Sequence, residues 1–240
     1  MSSHYPHVLA AMVGALALLV AAPFAATANA QNLVANGDFS AGNADFLYGY
    51  KYVEPVADAL VPAGVFTVAH STRRPAVLNS AGAGIFDYYD HTTGDDKGAF
   101  LLVNGSGVPD QMVWGQRVTV KPFTNYYFSA WVSTWTPDEV SPAQLQFRVN
   151  GRLIGPIFVA SKTPGVWGVF EAVWNSGNST LADIYIINQN TESYGNDFGL
   201  DDIAFQQTSL SVLGGRRLRH TFFPPTPVRR TQDAVVKTQR

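Results

Sequence analysis

The sequence predicts an all-β sandwich, and three features lead to that prediction. Six segments rich in Val, Ile, Phe, Tyr and Trp follow one another, separated by Gly, Pro, Asn and Ser. Two of these segments alternate between apolar and polar residues, which is typical of strands with one buried face. Beyond residue 30, no segment shows sustained helical periodicity and no internal repeat is visible.

The six predicted strands occupy the middle of the chain: Gly98–Val103, Trp114–Val120, Tyr126–Trp135, Gln144–Val149, Val166–Trp174 and Leu181–Asn188. In the third, Phe128, Ala130 and Val132 share the face predicted to be buried. In the fourth, Leu145, Phe147 and Val149 do the same. An Asn150-Gly151 step follows at once and predicts a β-hairpin, because both residues tolerate the positive φ of a type I′ turn.

Composition bounds the class of protein. Hydrophobic residues make up 46% of the 240 residues, which is enough for a sizeable core, whereas charged residues make up only 14%. Residues 31–208 carry 9 Lys or Arg and 17 Asp or Glu, a net charge of −8. Such an acidic body is not typical of a nucleic-acid-binding fold. The chain has no cysteine, so neither a disulfide nor a thiolate ligand is available.

The first thirty residues are predicted to be a cleaved secretory signal. Val8–Ala22 is an uncharged apolar run, and Ala28, Asn29 and Ala30 form an A-x-A cleavage site that would leave Gln31 as the new N-terminus. The usual positive charge is missing from Met1–His7, and a buried or membrane-anchoring helix is the alternative. After cleavage no membrane span is expected, and the protein is predicted to be secreted or held at the cell surface.

Residues 209–240 are predicted to be a disordered tail. They carry 7 Lys or Arg and 1 Asp, and they contain Gly214-Gly215 and Pro224-Pro225 with little apolar periodicity. Two interpretations stay open: an electrostatic contact with an acidic surface, or a solvated segment with no role. The folded body is therefore predicted to be one domain, residues 31–208.

Two terminal motifs carry a family resemblance. Asn32–Ser40 and Gly195–Phe205 resemble the opening and closing strands of the galactose-binding-like jelly roll, as found in carbohydrate-binding modules of families four, nine and twenty-two and in many secreted bacterial surface proteins. Further landmarks of that family are matched by Asp90–Gly94, Phe100–Gly105, Val113-Trp114, Tyr127–Trp131 and Ile187–Asn190. The resemblance implies a jelly-roll β-sandwich of two antiparallel sheets whose first and last strands are neighbours. It does not decide function.

The resemblance also implies a structural calcium ion near the two terminal motifs. Matching those motifs places the ligands at Asp38 or its carbonyl, in the loop Gly94–Gly98 with Asp95 and Asp96, and at Asp201 or Asp202. Strand alternation would put Asp201 and Asp202 on opposite faces, so only one of them is expected to coordinate. Ser40 stands where many relatives have an acid. In the alternative interpretation, Asp201 and Asp202 only end an edge strand, and Asp95-Asp96 is a solvated turn.

A glycan site is predicted from aromatic residues placed beside hydrogen-bonding groups. An aromatic ring can pack on the apolar face of a sugar while amides and guanidinium groups bind its hydroxyls. The predicted ligand-binding residues are Tyr127, Trp131, Trp135, Gln144, Gln146 and Arg148, to which the family resemblance adds Asn188. The alternative for each aromatic is core packing, which is the expectation for Trp114, Trp167 and Trp174.

Catalysis is not indicated. The sequence has no nucleophile elbow, zinc-protease motif, phosphate loop or dinucleotide fingerprint. The histidines of the body, His70 and His91, fall in separate loops. The sequence therefore predicts a noncatalytic, secreted module that binds a polysaccharide or glycan. The rival hypothesis is a structural or adhesive surface domain that binds protein or matrix. The sequence does not indicate an oligomeric state.

Overall fold

The computed structural model describes residues 31–56, 60–73, 87–136, 141–192 and 194–208. The predicted signal segment, residues 1–30, and the predicted tail, residues 209–240, lie outside these ranges. The described residues form ten strands: β1 Lys51–Tyr52, β2 Val65–Ala69, β3 Phe100–Asn104, β4 Gln111–Thr119, β5 Asn125–Thr134, β6 Gln144–Val149, β7 Arg152–Val159, β8 Gly168–Asn175, β9 Leu181–Asn188 and β10 Asp197–Gln207. No helix within these ranges is long and apolar enough to cross a membrane.

The strands form two sheets, so the predicted all-β sandwich is confirmed. The six-stranded sheet has the order β1-β2-β3-β10-β5-β8, and the four-stranded sheet has the order β4-β9-β6-β7. Neighbours pair antiparallel except β1 and β2, which run parallel. All six predicted strands are present, and the predicted Asn150-Gly151 turn joins β6 to β7, with φ of 48° and 78°.

The main core lies between the two sheets and is rich in aromatic rings. Phe147 on β6 stacks against Phe128 on β5 and Phe170 on β8, with ring centroids 3.8 Å and 3.7 Å apart. All three side chains are almost completely buried. Because the rings come from both sheets, they fix the inward face of β5, β6 and β8.

A second, smaller core lies on the outer face of the six-stranded sheet. Leu102 on β3 and Val65 on β2 point away from the main core and are covered by Leu60, Tyr88 and Trp135. This face of the six-stranded sheet is therefore partly closed by loops.

The two ends of the body lie side by side, as the terminal motifs predict. Asn32 forms an antiparallel bridge with Gln206, and Leu33 donates its N–H to the carbonyl oxygen of Phe205 at 2.9 Å. The side chain of Asn32 accepts the Phe205 N–H at 2.9 Å and donates to the Ile203 carbonyl at 3.1 Å. The first segment of the body thus pairs with the end of β10, the last strand.

Candidate functional site

The predicted glycan-binding residues do not form one surface. Trp131 lies on β5 in the six-stranded sheet, and Gln146 and Arg148 lie on β6 in the four-stranded sheet. On both strands the intervening residues point inward, as the stacked rings of Phe128 and Phe147 show. The polar positions of the two strands therefore face opposite sides of the sandwich. The prediction that these residues form one glycan site is wrong, because alternation shows which side of a strand is buried and not which sheet holds the strand.

Two of the predicted ligand-binding residues belong to the interior. Trp135 is 3% exposed, and its indole N–H donates to the Val103 carbonyl at 3.0 Å. Asn188 is completely buried, and its amide donates to the Tyr50 hydroxyl at 3.1 Å and to Asn196 Oδ1 at 3.2 Å. Neither side chain can reach a ligand at the surface, so both assignments are corrected.

Tyr127 and Trp131 lie on the outer face of the six-stranded sheet, and each is engaged within the protein. The Tyr127 hydroxyl donates to Glu171 on β8. Burial, followed by this contact with Glu171, raises the pKa of the tyrosine. One face of the Trp131 ring is covered by the His91 imidazole, which stacks on it with centroids 3.9 Å apart. Trp131 therefore presents less free aromatic surface than the sequence suggests.

The outer face of the four-stranded sheet holds an aromatic residue that the sequence reasoning missed. Tyr185 on β9 pairs with Gly115 on β4 and with Arg148 on β6. The pairing continues from Gly115 to Leu47 and from Arg148 to Leu153. Directly paired residues share a face, so these five residues form one row across the sheet. With strands about 4.8 Å apart, the row is about 19 Å long.

The Tyr185 ring lies over Gly115. A Cβ atom at Gly115 would come 2.3 Å from Tyr185 Cδ1 and 2.7 Å from Cε1. Only glycine leaves this room, so the absence of a side chain on β4 lets the ring lie against the sheet. The alternation of Asp183, Tyr185 and Ile187 along β9 could have placed Tyr185 on an outer face. Its pairing with Gly115 could not be predicted, because one sequence does not show that β4 pairs with β9.

Polar side chains border the ring. Arg148 Nη2 donates to Asp110 Oδ1 at 3.0 Å, and Gln146 Nε2 donates to the Gly155 carbonyl at 2.8 Å. Gln144 lies farther along β6 on the same face. We refer to the outer surface formed by Gly115, Tyr185, Gln144, Gln146 and Arg148 as the Tyr185 face. It combines one flat ring with amide and guanidinium groups.

A shallow groove adjoins the Tyr185 face along β4. It has a volume of about 770 Å³ and is lined by Leu33, Ala35, Asp45, Phe46, Leu47 and β4 residues 115–119. Gln116 holds two other lining residues of the groove in place. Its side-chain amide donates to the Ala35 carbonyl at 2.7 Å and to the Asp45 carbonyl at 2.5 Å. At one end, Arg117 and Asp183 form an ion pair, with Nε–Oδ1 at 2.5 Å and Nη2–Oδ2 at 2.9 Å.

Asp201 and Asp202 both contact the loop that begins at Asp90, contrary to the expectation of opposite faces. The register of β10 shifts between Asp201 and Ala204, and Asp202 has a φ of 46°. This bulge breaks the alternation, so both carboxylates reach His91 and Thr92. Burial raises the pKa of Asp201 well above its usual range, and the negative charge of Asp202 adds to the effect.

The five predicted calcium ligands are not gathered around one point. Asp38 Oδ1 accepts the backbone N–H and the hydroxyl of Ser40, and Asp95 Oδ1 accepts the backbone N–H of Lys97. Asp96 is exposed. Among the described residues, no three His, Asp or Glu side chains are placed to hold a metal ion together. These side chains do not fit a calcium centre built from the five acids, and calcium binding stays a prediction from sequence.

A buried polar network closes one end of the sandwich. Asp197 accepts hydrogen bonds from the Thr136 hydroxyl at 2.7 Å and from the Gly105 N–H at 3.3 Å. Burial raises its pKa to about 6, although both hydrogen bonds act to lower it. The network continues through Asn196, whose amide donates to the Ser106 carbonyl at 3.4 Å. Because these groups are buried, the network links the surrounding loops to one another and does not face solvent.

Comparisons with known proteins identify the fold. No family model and no curated protein matches the chain. Among solved structures, Fisc, a Stig cyclase from Fischerella sp. TAU, is 11% identical with a TM-score of 0.50, and the match covers 75% of this chain and 98% of the cyclase. At this identity the likeness shows the fold alone.

Two carbohydrate-binding modules are among the other similar structures. The CBM22-1 xylan-binding domain of Xyn10C from Paenibacillus barcinonensis is 12% identical, with 62% of this chain and 90% of that chain covered and a TM-score of 0.38. A family 16 carbohydrate-binding module is 16% identical, with 72% and 99% covered and a TM-score of 0.37. The fold that this chain shares with the cyclase does not by itself decide function.

Proposed function

We propose that this chain is an exported, noncatalytic module that binds a polysaccharide or glycan on the Tyr185 face. The observation that carries the proposal is the Tyr185 ring lying over Gly115, beside Gln146 and Arg148. The Tyr185 side chain is half-buried, and its exposed part can pack on the apolar side of a sugar. The neighbouring amide and guanidinium groups can bind sugar hydroxyls.

The shape of the surface supports an elongated ligand. The row through Tyr185 crosses the sheet from Leu47 to Leu153, a distance of about 19 Å, which exceeds one sugar ring. The groove along β4 extends the same surface past Gly115. An open surface of this kind favours several shallow contacts over a deep pocket for a single small molecule.

We propose a noncatalytic function because His70 and His91 both make contacts that hold the fold together. His70 Nδ1 lies 2.5 Å from the Gly98 carbonyl oxygen, and His91 is held between Asp202 and Trp131. Neither lies on the Tyr185 face.

Export is proposed from the apolar run Val8–Ala22 and the small residues at 28–30. Mass spectrometry of the secreted protein should then find Gln31 at its N-terminus.

Affinity electrophoresis against soluble glucans, xylans and galactans tests the binding proposal. At least one polymer should retard the wild-type protein, and Tyr185→Ala should abolish the retardation. Tyr127→Ala is the matched control, because this tyrosine lies on the opposite outer face. Equal mobility of the wild type in every gel would contradict the proposal.

The second candidate function is a structural or adhesive domain that binds protein or matrix. Its supporting observation is that apolar side chains at the borders of the same outer surface are well exposed, namely Leu47 at 56%, Leu153 at 45%, Val159 at 56% and Leu181 at 50%. It is favoured if no polymer retards the protein while immobilised matrix proteins retain it, and if Leu153→Asp removes that retention.

A further inference from the structure

Four residues link the loop at Asp90 to the end of β10, and we call His91, Thr92, Asp201 and Asp202 the His91 clasp. Asp201 Oδ2 accepts the backbone N–H groups of His91 at 2.8 Å and of Thr92 at 3.1 Å. Its Oδ1 accepts the Asp202 N–H at 2.8 Å. The side chain of Asp201 is completely buried, and both of its oxygens are engaged by donors.

Asp202 completes the clasp from its other side. Its Oδ1 accepts the Thr92 hydroxyl at 2.7 Å, and its Oδ2 lies 2.6 Å from His91 Nδ1. The imidazole side chain is only 5% exposed and stacks on Trp131, at a centroid distance of 3.9 Å and an interplanar angle of 15°. One loop is thus bound by hydrogen bonds to β10 and by ring stacking to β5.

These hydrogen bonds are incompatible with a metal ion bound to the Asp201 carboxylate. Calcium takes 6 to 8 oxygen ligands, and its charge repels the hydrogens of N–H groups. Three backbone N–H groups point at the Asp201 carboxylate and occupy both of its oxygens. Asp38 and Asp95, from the other two predicted ligand segments, hold their own loops through Ser40 and Lys97.

We infer that the His91 clasp, and not a calcium ion, joins residues 90–93 to β10, so that the fold keeps its stability without calcium. The clasp packs on Trp131 in the six-stranded sheet, whereas Tyr185 lies in the four-stranded sheet, so stability without calcium is tested separately from glycan binding.

Thermal unfolding of the full chain in EDTA and in calcium chloride tests the inference. The wild-type Tm should differ by less than about 1 °C between the two conditions. Asp201→Asn should lower the Tm by about 5 °C or more, equally in both, because its amide would present N–H groups to the backbone donors. The control Asp96→Asn should behave as the wild type, since Asp96 is exposed.

Two further measurements keep the inference testable if Asp201→Asn fails to fold. Protein purified without chelator should contain substoichiometric calcium by elemental analysis. His91→Ala should shift tryptophan emission to longer wavelength, because it uncovers Trp131, and the shift should be unaffected by calcium. A wild-type Tm that rises by about 5 °C or more with calcium and falls with EDTA, or one bound calcium per chain, would overturn the inference.

Discussion

Phe128 on β5 and Phe147 on β6 stack across the sandwich with ring centroids 3.8 Å apart and planes 21° from parallel. This contact determines which way the remaining side chains of both strands point. Tyr127 and Trp131 are directed to one outer face, and Gln146 and Arg148 are directed to the other. The proposed binding site therefore lies on one side of the molecule, where Tyr185 supplies an aromatic ring beside Gln146.

Phe147→Ala should strongly destabilise the protein. The side chain is completely buried and touches the rings of both Phe128 and Phe170. Its removal leaves a cavity between the sheets and should lower the free energy of unfolding by about 3–5 kcal/mol. Urea unfolding measures the change. The exposed Val173→Ala on β8 is the control and should cost less than about 0.5 kcal/mol.

Gly115→Ala should weaken glycan binding while the fold stays intact. The new Cβ would lie 2.3 Å from Tyr185 Cδ1, so the ring must move away from its position against the sheet. Retardation in the affinity gel should fall several-fold, with the circular dichroism spectrum of the strands preserved. Unchanged retardation would show that the position of the ring does not matter to binding.

Trp135→Phe should lower stability without changing glycan binding. The substitution removes the indole hydrogen bond to the Val103 carbonyl, and Trp135 is buried under loops away from the Tyr185 face. The expected loss in the free energy of unfolding is about 1–3 kcal/mol. If the folded variant also loses retardation by the polymer that binds the wild type, Trp135 has a role in the site after all.

Asp197→Asn should change the pH dependence of stability. The folded pKa of Asp197 is raised to about 6, above an unfolded value of about 3.9, so ionisation of this group favours the unfolded state. The contribution of Asp197 to stability should therefore rise mainly as the pH falls from about 6 to about 4. Between pH 4 and pH 8 the free energy of unfolding of the variant, relative to that of the wild type, should rise by up to about 3 kcal/mol.

Urea unfolding at pH 4, 6 and 8 measures this difference. Asp201 also has a raised pKa and gives the wild type a change of the same sign, so the comparison of variant with wild type isolates Asp197. Asp96→Asn is the exposed control. A constant difference between Asp197→Asn and wild type at all three pH values would contradict the prediction.

The sequence predicted the fold better than the site, for reasons visible in particular strands. The segments Gln144–Val149 and Leu181–Asn188 coincide with β6 and β9, because their alternation and the Asn150-Gly151 turn are local signals. β2, by contrast, is buried along its whole length, and β7 is interrupted by Gly155 and Pro156, so neither shows alternation. Which strands share a sheet depends on long-range pairing, and this separated Trp131 from Gln146.

The bulge in β10 explains a further difference. Regular alternation separates Asp201 from Asp202, but the positive φ of Asp202 turns both carboxylates toward one loop. A positive φ at aspartate has no reliable signal in a single sequence. The burial of Trp135 and Asn188 has a related cause, because Tyr88, in the same cluster as Trp135, and Tyr50, hydrogen-bonded to Asn188, are far from them along the chain.

The pairing of Asn32 with Gln206 places the entry and the exit of the folded body next to each other. A domain attached in this way can be spliced into an exposed loop of a carrier protein without forcing the host's two loop ends apart. Display on such a carrier, with the Tyr185 face directed outward, would give a bivalent or multivalent reagent whose avidity for a polymer could be set by the number of copies.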